Sequence, residues 1–212
     1  MRLFDLTQPI MPSMTVFPGS ERPEIVVVST LAQDGFRESR MTITSHCGTH
    51  LDAPAHMLSD GRTLDGYPID KFYGKACIYR HLYSRSPVIG VGDLQTIENL
   101  LELADFLLIV TGWDSYWGTV RYLRNFPVLD QAAAGWLRQF SLKGIGLDTI
   151  SADPIDTDDC HIHRLLLASD CLIIENLRGV TRLPGDGCLL QCFPLALAGA
   201  DGAPARVVAM ID

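Results

Sequence analysis

Several features are scarce in this chain, and each absence narrows what it does. No Lys/Arg cluster is long enough to follow a phosphate backbone, and 17 basic against 25 acidic residues leave a formal charge of −8. That balance argues against nucleic acid as a partner and otherwise mainly favours solubility. No apolar run approaches the roughly 20 residues that span a bilayer; Phe106-Leu107-Leu108-Ile109-Val110 is among the longest. The opening Met-Arg-Leu-Phe-Asp places an aspartate inside any signal-like stretch, so no membrane contact and a cytoplasmic location are expected. Six cysteines (Cys47, Cys77, Cys160, Cys171, Cys188, Cys192) include no C-x2-C pair, and reduced, partly buried thiols are the expectation. A G-x-S-x-G elbow is also missing; Gly112-Trp113-Asp114-Ser115 lacks its second half, which argues against a serine hydrolase.

What is present is ordinary globular material. Hydrophobic residues make up 47% and charged residues 20% of 212, enough for a sizeable core in one domain over residues 1–212. Strands are expected over residues 2–6, 24–30, 39–45 and 76–82, with Pro9, Pro12, Pro18-Gly19 and Asp34-Gly35 as turns. The second half alternates: helices over 92–103, 130–140 and 159–169, and strands over 106–111, 144–147, 171–175, 189–193 and 206–210. Such alternation with buried apolar strands predicts an α/β class, a mixed β/α domain.

Chemistry concentrates in Ser45-His46-Cys47-Gly48-Thr49-His50-Leu51-Asp52-Ala53-Pro54-Ala55-His56. Three of the chain's six histidines and an aspartate fall within these residues. His46, Gly48, His50 and Asp52 share parity, so an extended continuation of the strand through Met41-Thr42-Ile43-Thr44 would project their side chains from one face. A helix would also align His46 with His50, but Thr42, Ile43, Thr44, Gly48, Thr49 and Pro54 oppose one. Two imidazoles and a carboxylate offer a first-row divalent cation three ligands and leave a position for water. Gly48 would let the backbone turn tightly beside the ion.

Distant partners are available. Glu175 ends the apolar run Cys171-Leu172-Ile173-Ile174, where a carboxylate is costly unless paired or metal-bound. It has two readings, a metal ligand or a surface partner of Arg178 or Arg164. His161 and His163 open a helical stretch, and each is either a ligand or a solvated helix-start residue.

The run His46-x-Gly48-Thr49-His50-x-Asp52-x-Pro54-x-His56 resembles the signature of the cyclase-like metal-dependent hydrolases, the family of bacterial kynurenine formamidase (arylformamidase) and isatin hydrolase. The resemblance extends to Phe4-Asp5-Leu6-Thr7-Gln8-Pro9-Ile10 with Phe17-Pro18-Gly19, to Gly146-Leu147-Asp148-Thr149-x-Ser151-x-Asp153-Pro154, and to His163-Arg164-Leu165-Leu166 running on to Ile174-Glu175-Asn176-Leu177. It implies a swivelling β/β/α domain, assembled as a homodimer or homotetramer and acting on a small-molecule substrate. His46, His50 and Asp52 would bind one ion. Asp52 would bridge to a second completed by His163 and Glu175, His163 being preferred over His161 because its twelve-residue spacing to Glu175 matches the family. Zn²⁺ or Mn²⁺, one or two ions per chain, suits these donors, and His56 would be the catalytic proton donor and acceptor.

The activity so implied is hydrolysis of a small amide by metal-activated water, as in N-formyl-kynurenine to kynurenine and formate. Phe17 stands where the formamidases carry a tryptophan that stacks on the aryl substrate, and is the candidate substrate-binding residue. Ser20 follows Gly19 where an acidic residue is usual. Trp113 and Trp117 are further pocket candidates, and Trp136 suits core packing. The alternatives are a cyclic amide or lactone as substrate, a non-catalytic metal-binding module, and a Cys47 nucleophile with His46 as its base. The last would survive EDTA and fail with iodoacetamide.

Overall fold

The computed structural model describes residues 1–82 and 86–211. Its strands are β1 (Arg2–Asp5), β2 (Glu24–Ser29), β3 (Glu38–Thr42), β4 (His50–Asp52), β5 (Tyr73–Arg80), β6 (Val88–Ile89), β7 (Phe106–Val110), β8 (Val128–Leu129), β9 (Gly144–Leu147), β10 (Leu172–Glu175), β11 (Gly187–Pro194) and β12 (Gly202–Ile211). Its helices are α1 (Leu31–Asp34), α2 (Val91–Gln95), α3 (Glu98–Leu101), α4 (Gln131–Leu137) and α5 (His161–Leu167). The α/β class is as expected, and the sheet closes on itself. One edge of β12 pairs with β11, and the other takes β1 at residues 208–211 and β4 at residues 202–204. Because β4 also pairs with β10, the strands β12, β11, β5, β7, β9, β10 and β4 form a barrel-like ring.

The parallel stretch β5-β7-β9-β10 explains the continuous apolar runs. Phe106, Leu108 and Val110 point into the barrel with Leu51, Ile174, Ala203 and Val207. Leu107 and Ile109 face outward beneath Leu94, Ala133, Ala134, Leu137 and Leu166 of the helix layer. With both faces covered, no polar alternation is needed. Trp136 packs in that layer against Phe140, edge to face at 4.8 Å.

Several elements depart from their expected bounds, and three of these departures have a visible local basis. The strand over 39–45 stops at Thr42, where the chain leaves a two-stranded ribbon of β2 and β3 whose β3 residues are all exposed. The helix over 92–103 divides into α2 and α3: Thr96 Oγ1 donates to the Asp93 carbonyl, and Ile97 leaves the helical region at φ −122°. Both break residues are β-branched, and Thr96 satisfies a backbone acceptor from its side chain. Asp130 is a cap rather than the first helical residue, accepting from Ala133 N at 2.6 Å to start α4.

Candidate metal centre

The parity reading of residues 46–52 is corrected. After Thr42 the chain is not extended, and His46 is presented by a loop. Gly48 reverses that loop at φ +68°, a backbone conformation suited to glycine. Only β4 is extended there, and in it His50 and Asp52 face one way while Leu51 enters the barrel core. His50 lies directly opposite Glu175 in the antiparallel β4–β10 register, which brings Glu175 Oε2 to 3.5 Å from His50 Nε2. Asp52 Oδ1 stands 2.6 Å from His46 Nδ1 and 3.2 Å from His50 Nε2.

His163 arrives from the first turn of α5. Asp153 Oδ1 accepts from Ile162 N, and its Oδ2 accepts from His163 N, both at 2.9 Å. The same Oδ2 lies 2.6 Å from His163 Nδ1, so one buried carboxylate caps the helix and fixes the ring. Nε2 of His163 is thereby aimed at Glu175 Oε1, 3.1 Å away, and at Asp52 Oδ2, 3.7 Å away. His161 instead lies near Asp159 with 41% of its side chain exposed. Glu175 takes neither surface arginine; its Oε1 accepts from Ala152 N at 3.0 Å. His56 closes the group from the turn Pro54–His56, its ring 3.9 Å from that of His46.

All six residues of the expected site therefore converge, and Asp52, His50, His163 and Glu175 are each at most 5% exposed. Phe17, 41% exposed, lines the same cavity of about 300 Å³. Trp117 does not; it borders a separate open groove of about 800 Å³ with Arg178 and Arg182. Trp113 is buried, donating Nε1–H to the Tyr122 carbonyl. Cys47 is buried with its thiol against Met14 Sδ at 3.8 Å, and burial raises its pKa. It is therefore turned away from the cluster and held as a thiol.

Sequence reasoning gave no role to Asp153, Asp201 or Asn176. Asp201 Oδ2 is 2.9 Å from His46 Nε2 and 3.6 Å from His56 Nδ1. Asn176, at φ +58°, donates from Nδ2 to the Gly48 carbonyl and accepts from Tyr122 Oη at Oδ1, bracing the loop that carries His46. Asp153 sits ten residues before His163 in a Ser-x-Asp-Pro turn, a capping signal separated from its helix by a loop.

The charges point to a cation. Asp52 Oδ2 is buried without a hydrogen-bond partner, an expensive state for a carboxylate oxygen. Burial opposes protonation of His46, yet the hydrogen bond and charge of Asp52, joined by Asp201, push its pKa up to about 9. Burial likewise opposes charge on His50 and His163, and in both the facing carboxylates prevail and raise the pKa. Burial raises the Asp52 pKa, but the charge of His50 and its neighbours draw it well below the usual range. The buried carboxylates thus call for positive charge, which a divalent ion would supply while leaving the rings free to ligate. Two trios, His46–Asp52–His56 and His50–Asp52–Glu175, each present donor atoms within 4.8 Å of one another and share Asp52. These donors fit a metal ion.

The Cyclase family model, whose description reads "Putative cyclase", matches residues 4–154. The chain belongs to this family. Among relatives of this cyclase-family chain, a kynurenine formamidase of Bacillus cytotoxicus is 31% identical over 205 residues, covering 96% of this chain and 95% of that protein. Another kynurenine formamidase, of Geobacillus thermodenitrificans, is 30% identical over 203 residues, covering 95% and 94%. The solved isatin hydrolase A of Ralstonia solanacearum superposes with a TM-score of 0.89 at 24% identity, covering 100% of this chain and 92% of its own. That likeness bears on the fold. No helix among the described residues is long and apolar enough to cross a membrane.

Proposed function

We propose that this cyclase-family chain is a metal-dependent hydrolase that removes formyl groups from aryl amines, the reaction named in its kynurenine formamidase relatives. The observation that carries the reading is the buried Asp52, whose Oδ2 has no hydrogen-bond partner and lies 3.7 Å from His163 Nε2, while its Oδ1 lies 3.2 Å from His50 Nε2, itself 3.5 Å from Glu175 Oε2. His46, His50, Asp52, His163 and Glu175 would hold the ion, Zn²⁺ or Mn²⁺, one or two per chain. When bound, it supplies a Lewis acid and a water acidic near neutral pH.

The chain's own groups handle positions and protons. Asp153 holds the Nδ1 proton of His163 and directs Nε2 inward. Burial lowers the pKa of His56, so its ring is a neutral acceptor. His56 takes the proton of the attacking water and passes it to the departing aryl nitrogen as the formyl carbon–nitrogen bond breaks. Asp201 Oδ2, bonded to His46 Nε2, places a negative charge 3.6 Å from His56 Nδ1. Phe17 offers a face for the aryl ring. A cyclic amide would use the same groups, its nitrogen remaining tethered to the product.

Protein purified without chelator is expected to hydrolyse N-formyl-L-kynurenine, to lose turnover in EDTA and to regain it with Zn²⁺ or Mn²⁺. Bound metal with turnover of isatin in place of the formamide would move the assignment to cyclic amides. Neither activity from metal-loaded protein would leave a metal-binding module.

The free state of all six cysteines supports a reducing compartment, and we place the protein in the cytoplasm. A second copy of this chain is the proposed protein partner. The β2–β3 ribbon exposes Ile25, Val27, Phe36 and Met41, and a two-stranded ribbon has little stability of its own. Light scattering is expected to give the mass of two or four chains, with Val27→Glu/Met41→Glu shifting it toward one.

A further inference from the structure

The open groove of about 800 Å³ bordered by Trp117 shares no lining residue with the cavity over the metal centre. In a chain of formal charge −8, the cations lining this groove are two exposed arginines, Arg178 and Arg182. Neither is ion-paired among the described residues. Arg182 Nε donates to the Gly179 carbonyl at 3.3 Å, and that is the one hydrogen bond either guanidinium makes there. The carboxylate that lines the groove, Asp114, is committed to the backbone, its Oδ2 accepting from Gly179 N at 2.6 Å. Gln8 adds a buried amide. The residue is 4% exposed and its backbone N donates to Thr49 Oγ1 at 2.8 Å, but its side chain has no hydrogen-bond partner among the described residues. Polar side chains this deep normally have one. Neither atom of the amide is fully sealed, so the group opens into the groove that Gln8 lines.

We infer that this groove is a second ligand site, separate from the metal centre, for an aryl carboxylate. The planar forks of Arg178 and Arg182 suit the two oxygens of a carboxylate, and the Gln8 amide supplies a further donor and acceptor. Trp117, Met11 and Met14 offer apolar surface to a ring. A bare inorganic anion would use the guanidiniums and leave that surface unused. The groove lies behind the ligand loop: Cys47 Sγ donates to Met14 Sδ at 3.8 Å, Gln8 N is bonded to Thr49, and Arg178 follows Glu175 by three residues. An occupant therefore touches residues that hold the loop of His46 and His50, from outside the reaction cavity. The inference goes beyond the hydrolase reading and does not depend on it.

4-Fluorobenzoate and 4-fluorobenzamide share a ring and differ in charge, and fluorine NMR titration reads even weak binding of each. The full chain, metal-loaded, is expected to bind the benzoate at least about tenfold tighter than the benzamide. EDTA treatment separates this from a carboxylate held by a bound metal ion, and the preference is expected to persist after it. Arg178→Ala/Arg182→Ala is expected to abolish the preference in the EDTA-treated protein at unchanged Tm, since both side chains are exposed. A preference confined to the metal-loaded form, or one that survives the double substitution in EDTA, places the carboxylate elsewhere and overturns the inference. Equal binding of the two probes by the natural chain, or binding of neither, also overturns it. The hydrolase reading stands in each case, because amide turnover tests it separately.

Discussion

Asp52→Asn is expected to remove both metal and activity, with amide turnover falling at least about 10³-fold, since catalysis by water activation depends on the ion. Asp52 is the one residue shared by the two ligand trios and is 1% exposed. Asparagine keeps the shape but loses the charge, and its amide nitrogen brings protons where a ligand oxygen is needed. Stability should fall as well in the absence of metal. Asparagine gives up the charge that faces His46 at 2.6 Å and His50 at 3.2 Å, and removing one partner of a buried pair is destabilising, so the metal-free variant should melt below metal-free wild type. Wild type should lose several degrees of Tm in EDTA, since metal binding to the folded state is folding free energy, whereas the variant's Tm should not respond. Metal retained at the wild-type level in Asp52→Asn would refute the ligand assignment.

His56→Ala should separate chemistry from binding. A positioned general acid–base group typically contributes about 10²–10⁴-fold, so kcat is expected to fall by that factor with KM little changed. Metal content should stay at the wild-type level. The test has force because His56 belongs to a trio with His46 and Asp52 that satisfies ligand spacing. Its ring lies 3.9 Å from that of His46, and its exposed side-chain fraction of 26% leaves it accessible to a substrate. Loss of metal from His56→Ala would make it a ligand and leave proton transfer to another group.

Much of the fold was legible because its signals are local. Phe106–Val110 is apolar at every position and is a strand buried on both faces; Asp130 marks the start of α4 by its own side chain. The candidate cluster was legible because β4 supplies His50 and Asp52 from one short stretch, and the family's twelve-residue spacing to Glu175 pointed to His163, the member of the His161–His163 pair that lies against Glu175. What escaped has non-local causes. The turn at Gly48 and its brace by Asn176 depend on a hydrogen bond across 128 residues, and Asp201 meets His46 across 155. Neither leaves any periodicity. Strands as short as β6 and β8, two residues each, exist only because they pair with each other.

The double engagement of β12 also sets the order of events during synthesis. β4, which carries His50 and Asp52, is held between β10 and β12, and β12 also receives β1 from the opposite end of the sequence. The ring therefore cannot close until residues 202–211 have left the ribosome, and Asp201, whose carbonyl accepts from Ala53 N at 2.8 Å, is translated just before them. Long-range strand pairing of this kind is slow to form. Until it forms, the histidines of residues 46–56 lie on a segment that β12 does not yet hold, so the candidate metal centre is assembled only after residues 202–211 have been made.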